Sequence, residues 1–121
     1  MNSAPTQTLV ILSSDAVLCT SLTSLFEGRG YRVSANGGVA TAPGSEVACV
    51  IVDLDRPTTP VSTPWLESQY PGAPFVVLSR SPWAGPHVAA DLTRGYFLHR
   101  PVPALELTAM VEGLLYDQLG G

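Results

Sequence analysis

The sequence contains no lysine; its six basic residues are all arginines, scattered from Arg29 to Arg100. Every side-chain amine able to form a Schiff base or grip a phosphate is thereby excluded. The formal net charge is −4. Without a cationic stripe to track a phosphate backbone, direct nucleic-acid binding is not expected. Cysteine is scarce too. Cys19 and Cys49 show no CxxC or Cys/His spacing, and both fall in apolar stretches, where a reduced cysteine acts as a small hydrophobe. His87 and His99 have no metal-ligand spacing and read as structural. The segment before Leu9 carries no basic residue, and Leu9 to Leu12 is too short for a signal peptide or a membrane span, so a cytoplasmic protein without membrane contact is expected. Gly-rich phosphate loops, dinucleotide fingerprints and a GxSxG elbow are all absent.

The 121 residues amount to one ordinary domain, read here as 1–121 with its core at about 8–118, and the composition of 45% apolar and 13% charged residues argues for a packed core. Leu9-Val10-Ile11-Leu12 reads as a strand, followed by Ser13-Ser14-Asp15 as helix-capping residues. Apolar residues from Val17 to Phe26 recur at three- and four-residue intervals, and Gly28-Arg29-Gly30 ends that helix. Tyr31 to Ala35 forms a short second strand. Asn36-Gly37-Gly38 and Pro43-Gly44 then leave room only for a very short helix. Val47 to Val52 is the most β-like run and ends at Asp53-Leu54-Asp55-Arg56-Pro57.

A loop from Pro60 leads to a short helix over Trp65–Tyr70, with Pro64 near its first turn. Phe75 to Leu78 is a fourth strand, Gly85 to Thr93 a weaker helix, and Tyr96-Phe97-Leu98 a fifth strand. Leu105, Leu107, Met110, Val111, Leu114 and Leu115 mark a final amphipathic helix. Five apolar strands alternating with helices make an α/β fold with a parallel sheet covered on both faces. In such sheets the functional crevice lies beyond the carboxyl ends of the strands, where Ser13-Ser14-Asp15, Asp53, Ser79 and Arg100 should converge.

Those endpoints, taken in order, resemble the receiver domains of bacterial two-component response regulators, over nearly the whole chain from Thr8 to about Leu115. Val50-Ile51-Val52-Asp53, with Pro57 four residues later, looks like the family's third strand and puts Asp53 at the phosphoacceptor position. Val76-Val77-Leu78-Ser79 resembles the fourth strand, whose terminal hydroxyl contacts phosphate, and Phe97 falls at the aromatic switch position. Leu98-His99-Arg100-Pro101 resembles the fifth strand, where family members carry a lysine and then a proline that is typically cis. The resemblance implies a flavodoxin-like three-layer sandwich with strand order 2-1-3-4-5, the second helix short or lost.

The departures are at the acidic end. Family members close the first strand with two adjacent carboxylates that hold magnesium, and this chain has Ser13 and Ser14. Neutral hydroxyls remove most of the attraction that concentrates the ion beside Asp53. Asp15 and Asp55 are the carboxylates left to take its place, each equally explained as a helix cap and a turn former. No resident cofactor is assigned, and magnesium is expected only weakly. Arg100 keeps a positive charge with a different geometry from lysine, and is expected to pair with Asp53. Taken alone, Asp53 would be an ordinary strand-end aspartate and Ser79 an ordinary strand cap; their common register is what raises them.

The function expected is a receiver-like signalling domain with impaired magnesium-dependent phosphorylation and no enzymatic role. It would bind a protein partner or a second copy through the face of the helix before the fifth strand, that strand, and the last helix, counted in the family as helix 4, strand 5 and helix 5. Two alternatives stay open: a working phosphoacceptor on Asp53 served by a histidine kinase, and a flavodoxin-like domain binding a small ligand in the same crevice. Trp65 and Trp83 are read as packing on the core edge ahead of a protein-binding role. The chain is compatible with a complete protein or with the front part of a longer regulator.

Overall fold

The computed structural model describes residues 7–35, 47–57 and 62–120, with side chains described as far as Tyr116. The elements run β1 (Thr8–Leu12), α1 (Ala16–Glu27), β2 (Arg32–Ala35), β3 (Val47–Asp53), α2 (Thr63–Gln69), β4 (Phe75–Ser79), α3 (Ala84–Asp91), β5 (Gly95–His99) and α4 (Ala104–Gly120). The expected short helix between Asn36 and Gly44 lies outside the described residues.

All four strand pairings are parallel, and the order is β2-β1-β3-β4-β5. Strands β1 and β4 are buried at every residue and β3 at all but Val47, so they lack the polar alternation of a half-solvated strand. Successive side chains instead feed two cores. Leu9, Ile11, Cys49, Ile51, Val76 and Leu78 pack with Leu22 and Phe26 of α1 and with Leu107, Val111, Leu114 and Leu115 of α4. The residues between them, Val10, Leu12, Val50, Val52, Phe75 and Val77, pack with Leu66 of α2 and Ala89 of α3. A helix layer on each face makes the three-layer α/β sandwich. Cys49 is fully buried among these groups, and burial pushes its thiol up to about 12, so it stays protonated as a packing residue.

Local chemistry sets the element ends. Asp15 caps α1, its carboxylate accepting from the Val17 and Leu18 amides, which starts the helix at Ala16 rather than Val17. Gly30, at φ +93°, makes the left-handed exit that lets the Tyr31 amide bond back to the Phe26 carbonyl. Ser62 caps α2, with Pro64 in its first turn, so that helix begins before Trp65. Helix α3 stops at Asp91 because the Leu92 backbone turns extended and its side chain goes into the core. Strands β3 and β4 run one residue past their apolar runs, which carries Asp53 and Ser79 into the sheet itself. No described helix is long and apolar enough to cross a membrane.

One polar clasp ties the two helices of the first layer. Glu112 of α4 accepts from Arg29 Nε at 3.1 Å, from Arg29 Nη2, and from the Tyr31 hydroxyl at 3.1 Å. The Arg29 hydrogen bond, with help from Tyr31, holds the Glu112 carboxyl below its ordinary value. A depressed folded-state pKa means that this contribution is present above the unfolded value and is lost as pH falls through the folded one. Because the clasp is exposed, its worth is small. Glu112→Gln is therefore expected to flatten part of the decline in urea midpoint as pH drops below the ordinary glutamate range, with a minor effect at neutral pH.

Candidate functional site

The carboxyl ends of β1, β3, β4 and β5 meet at one rim, and a chain of polar contacts joins them. Asp53 is fully buried at the end of β3. The Ser13 hydroxyl, just past β1, donates to Asp53 Oδ2 at 2.7 Å, and the Ser13 hydroxyl oxygen accepts from the Asp15 amide at 3.0 Å. Asp53 Oδ1 accepts from the Asp55 amide at 3.0 Å and from Arg100 Nη1 at 3.2 Å. Arg100 Nη1 also lies 3.5 Å from Asp55 Oδ2. Asp55 in turn accepts from the Ser79 hydroxyl at 3.2 Å and from the Arg80 amide at 3.1 Å. The bond between Arg100 and Pro101 is cis.

Each position has a local cause. The parallel ladder pairs Asp53 with Leu78 and Ser79 with His99, so the last residues of β3, β4 and β5 finish at one level. The loop after β3 is tied to the first strand's exit by the Ser14 amide and hydroxyl, which donate to the Arg56 carbonyl at 2.7 and 3.1 Å. The Arg100 amide donates to the Ser79 carbonyl at 2.9 Å and so fixes the root of its side chain.

Burial makes the arrangement consequential. The Asp53 side chain is 1% exposed and that of Arg100 14%. A carboxylate taken out of water needs hydrogen bonds and an opposite charge, and here it has three donors, one of them cationic. Asp53 and Asp55 together outweigh the single guanidinium between them. That surplus would attract a cation, but the ligands for one are committed. Asp53 is bonded at both oxygens, and Asp15 faces the first turn of α1. Among the described residues no group of three or more His, Cys, Asp or Glu side chains is placed to hold a metal ion. The residues present do not fit the octahedral, carboxylate-rich shell that magnesium requires.

Of the residues expected at the rim, Ser13, Asp53 and Arg100 are in direct contact, with Asp55 and Ser79 joined through the next link. The Arg100–Asp53 pair is the contact expected from the sequence. Three other residues singled out in the sequence make the following contacts. Ser14 serves the Arg56 carbonyl and makes no contact with Asp53, because the chain turns toward the β3 loop at that residue. Ser79 bonds Asp55, since the shorter reach from the end of β4 is to the loop carboxylate. Asp15 acts wholly as a helix cap. Phe97 is half-buried on β5, its ring against Gly85 of α3, where a Cβ would come within 2.0 Å of it. Trp65 is half-buried against Tyr70, whereas Trp83 is 82% exposed, so packing on the core edge holds for the first tryptophan and not the second. Asp55 is the member whose importance the sequence concealed, since nothing in the pattern aims a turn aspartate at the β4 end.

No family model matches the sequence, and no curated protein sequence does. Solved structures do match. A response-regulator receiver domain protein (CheY-like) from Methanospirillum hungatei JF-1 superposes with a TM-score of 0.77 at 18% identity, over 97% of this chain and 98% of that one. Full-length FixJ from B. japonicum matches at 21% identity with a TM-score of 0.68, over 95% of this chain. The fold is that of response-regulator receiver domains. This chain spans 60% of the FixJ chain. The receiver domain of the sensor histidine kinase PA1611 from Pseudomonas aeruginosa PAO1, which holds a magnesium ion coordinated in its active-site cleft, matches at 17% identity, over 92% of this chain and 98% of that one, with a TM-score of 0.69.

The Arg100 contact can be weighed directly. Removing one partner of a buried ion pair leaves the other charge uncompensated, at a cost of about 3 kcal/mol or more. Arg100→Met is expected to lower the urea midpoint accordingly, and adding Asp53→Asn to recover much of the loss, because the stranded charge is gone. A double-mutant cycle in urea checks this; additive effects would show that the two groups do not interact.

Proposed function

We propose that this chain is a signalling receiver-like domain in which magnesium-dependent phosphorylation of Asp53 is impaired, and that it acts by binding a protein partner or a second copy of itself. The observation that carries the reading is the Arg100 guanidinium 3.2 Å from Asp53 Oδ1. In the proposed scheme Asp53 stands at the phosphoacceptor position, Ser79 and Arg100 at phosphate-contact positions, and Ser13 and Ser14 where an acidic pair would be.

The chemical argument concerns charge. Moving a phosphoryl group onto a carboxylate gathers negative charge on the transferred oxygens, and catalysis of that step is mostly positioning and neutralisation. A single guanidinium already shared between Asp53 and Asp55 supplies little of it. The contrast is with the Pseudomonas aeruginosa receiver domain and its magnesium-loaded cleft. The expected result with acetyl phosphate and magnesium is no phosphoryl adduct by intact mass, and with beryllofluoride no change in tryptophan fluorescence. A stoichiometric adduct on Asp53 would instead favour the working phosphoacceptor, with a histidine kinase as its natural donor.

The interaction face proposed is α3, β5 and α4, in a domain working in the cytoplasm. Trp83 at the entrance to α3 and Tyr116 on α4 are 82% and 76% exposed, and exposed tryptophan and tyrosine are the residues most often at the energetic centre of interfaces. Phe97 of β5 packs against Gly85 of α3. Trp83→Ala is expected to weaken partner binding or self-association about tenfold or more, in line with anchor-residue losses, while the thermal melt stays unchanged. Sedimentation velocity over a concentration series, together with the melt, checks it.

A further inference from the structure

A cavity of about 510 Å³ lies between α1 and the segment joining β5 to α4, and its lining includes Leu18, Leu22, Leu78, Val102, Leu107 and Arg100. The volume falls within the roughly 300–1,000 Å³ typical of small-molecule sites. Leu22, Leu78 and Leu107 are buried side chains of the first core, so the inner wall is held by the sheet and both helices. Such a wall is preformed and apolar.

The polar end is supplied by Arg100. Both of its carboxylate contacts are made through Nη1. A guanidinium carries five N–H donors, and among the described residues Nε and Nη2 of Arg100 make no hydrogen bond or ion pair. The side chain as a whole is 14% exposed, and these two donors are left open to whatever reaches them from the cavity side. An acceptor arriving through the cavity would satisfy them.

Charge selects the kind of acceptor. Asp53 and Asp55 already place two negative charges around one guanidinium, so a carboxylate or phosphate headgroup would meet net repulsion at short range. A neutral carbonyl meets none. We propose that this cavity binds a neutral, largely apolar small molecule bearing one carbonyl, whose oxygen accepts from Nε or Nη2 of Arg100. The site is separate from the phosphorylation question, because it requires neither a metal nor a modified Asp53.

Three probes of similar bulk separate the terms: hexanophenone, hexylbenzene and phenylbutyrate, each titrated into the ¹⁵N-labelled protein and followed by amide shifts. Hexanophenone is expected to move the amides of Leu18, Leu22, Val102 and Leu107 saturably. Hexylbenzene, lacking the acceptor, is expected to bind about tenfold more weakly, the usual scale of one hydrogen bond to a charged donor. Phenylbutyrate should bind more weakly still. Arg100→Met should erase the preference for the ketone. Because that variant disturbs Asp53 as well, Ser21→Phe provides the second test: Ser21 is exposed on α1 and lines the cavity, so a ring there is expected to obstruct it while leaving the Arg100 side chain in place. Loss of the shifts in Ser21→Phe supports the site. Shifts that persist in Ser21→Phe, that never saturate, or that are as large for phenylbutyrate as for hexanophenone would overturn it.

Discussion

A fully buried carboxylate is the constraint on which the rim of this molecule depends. Asp53 ends the central strand of the sheet, where its side chain cannot turn toward bulk water, and an uncompensated charge there would cost several kcal/mol. The chain meets that demand with the Ser13 hydroxyl, the Asp55 amide and the Arg100 guanidinium, contributed by the exits of three different strands. The Ser13 and Arg100 contacts each close a long excursion of the chain, so the electrostatics of one residue holds together what the strand order brings near. Asp55 extends the network to the fourth exit through Ser79.

The apolar sheet makes that network possible. Strands β1, β3 and β4 are buried on both faces, and their side chains alternate between two cores, so a register slip of one residue would exchange the cores and unseat Asp53. Packing therefore sets the level at which each strand stops. Hydrogen bonds of 2.7 to 3.2 Å then need only small side-chain adjustments. Hydrophobic burial supplies the stability in this division, while the polar rim supplies the position of charge.

The sheet and its helices were legible in the sequence because each element carried its own local signal. Leu9 to Leu12, Val47 to Val52 and Phe75 to Leu78 are unbroken apolar runs, and the α1 and α4 stripes have helical spacing. The meeting of Asp53 with Arg100 followed from knowing that strand exits converge. Less was legible where two partners competed for one side chain. Ser14 and Ser79 had equivalent prospects by composition, and the direction of a loop decided them: one faces the Arg56 carbonyl, the other Asp55. The prominence of Asp55 was hidden for the same reason, since its contacts come from β4 and from the residue after β5, far away in sequence. Trp83 escaped because an exposed tryptophan before a helix leaves no periodic trace.

An arginine in place of an exchangeable ion changes what such a site can respond to. A divalent cation comes and goes with its concentration, and its coordination demands oxygen ligands at about 2.0–2.1 Å in an octahedron. A tethered guanidinium is present at a high effective concentration whatever the medium contains. To admit magnesium, Arg100 would have to leave Asp53 and Asp55, and the Ser13 hydroxyl would have to turn its proton away, before any metal–oxygen bond could form. Each displacement exposes or strands a buried polar group, so the ion must first overcome contacts the protein already makes. On the proposed reading, a rim arranged in this way would respond poorly to an ion or a phosphoryl donor. On that reading, regulation would fall to surfaces that a partner can reach without opening the rim, such as those carrying the exposed Trp83 beside α3 and Tyr116 on α4.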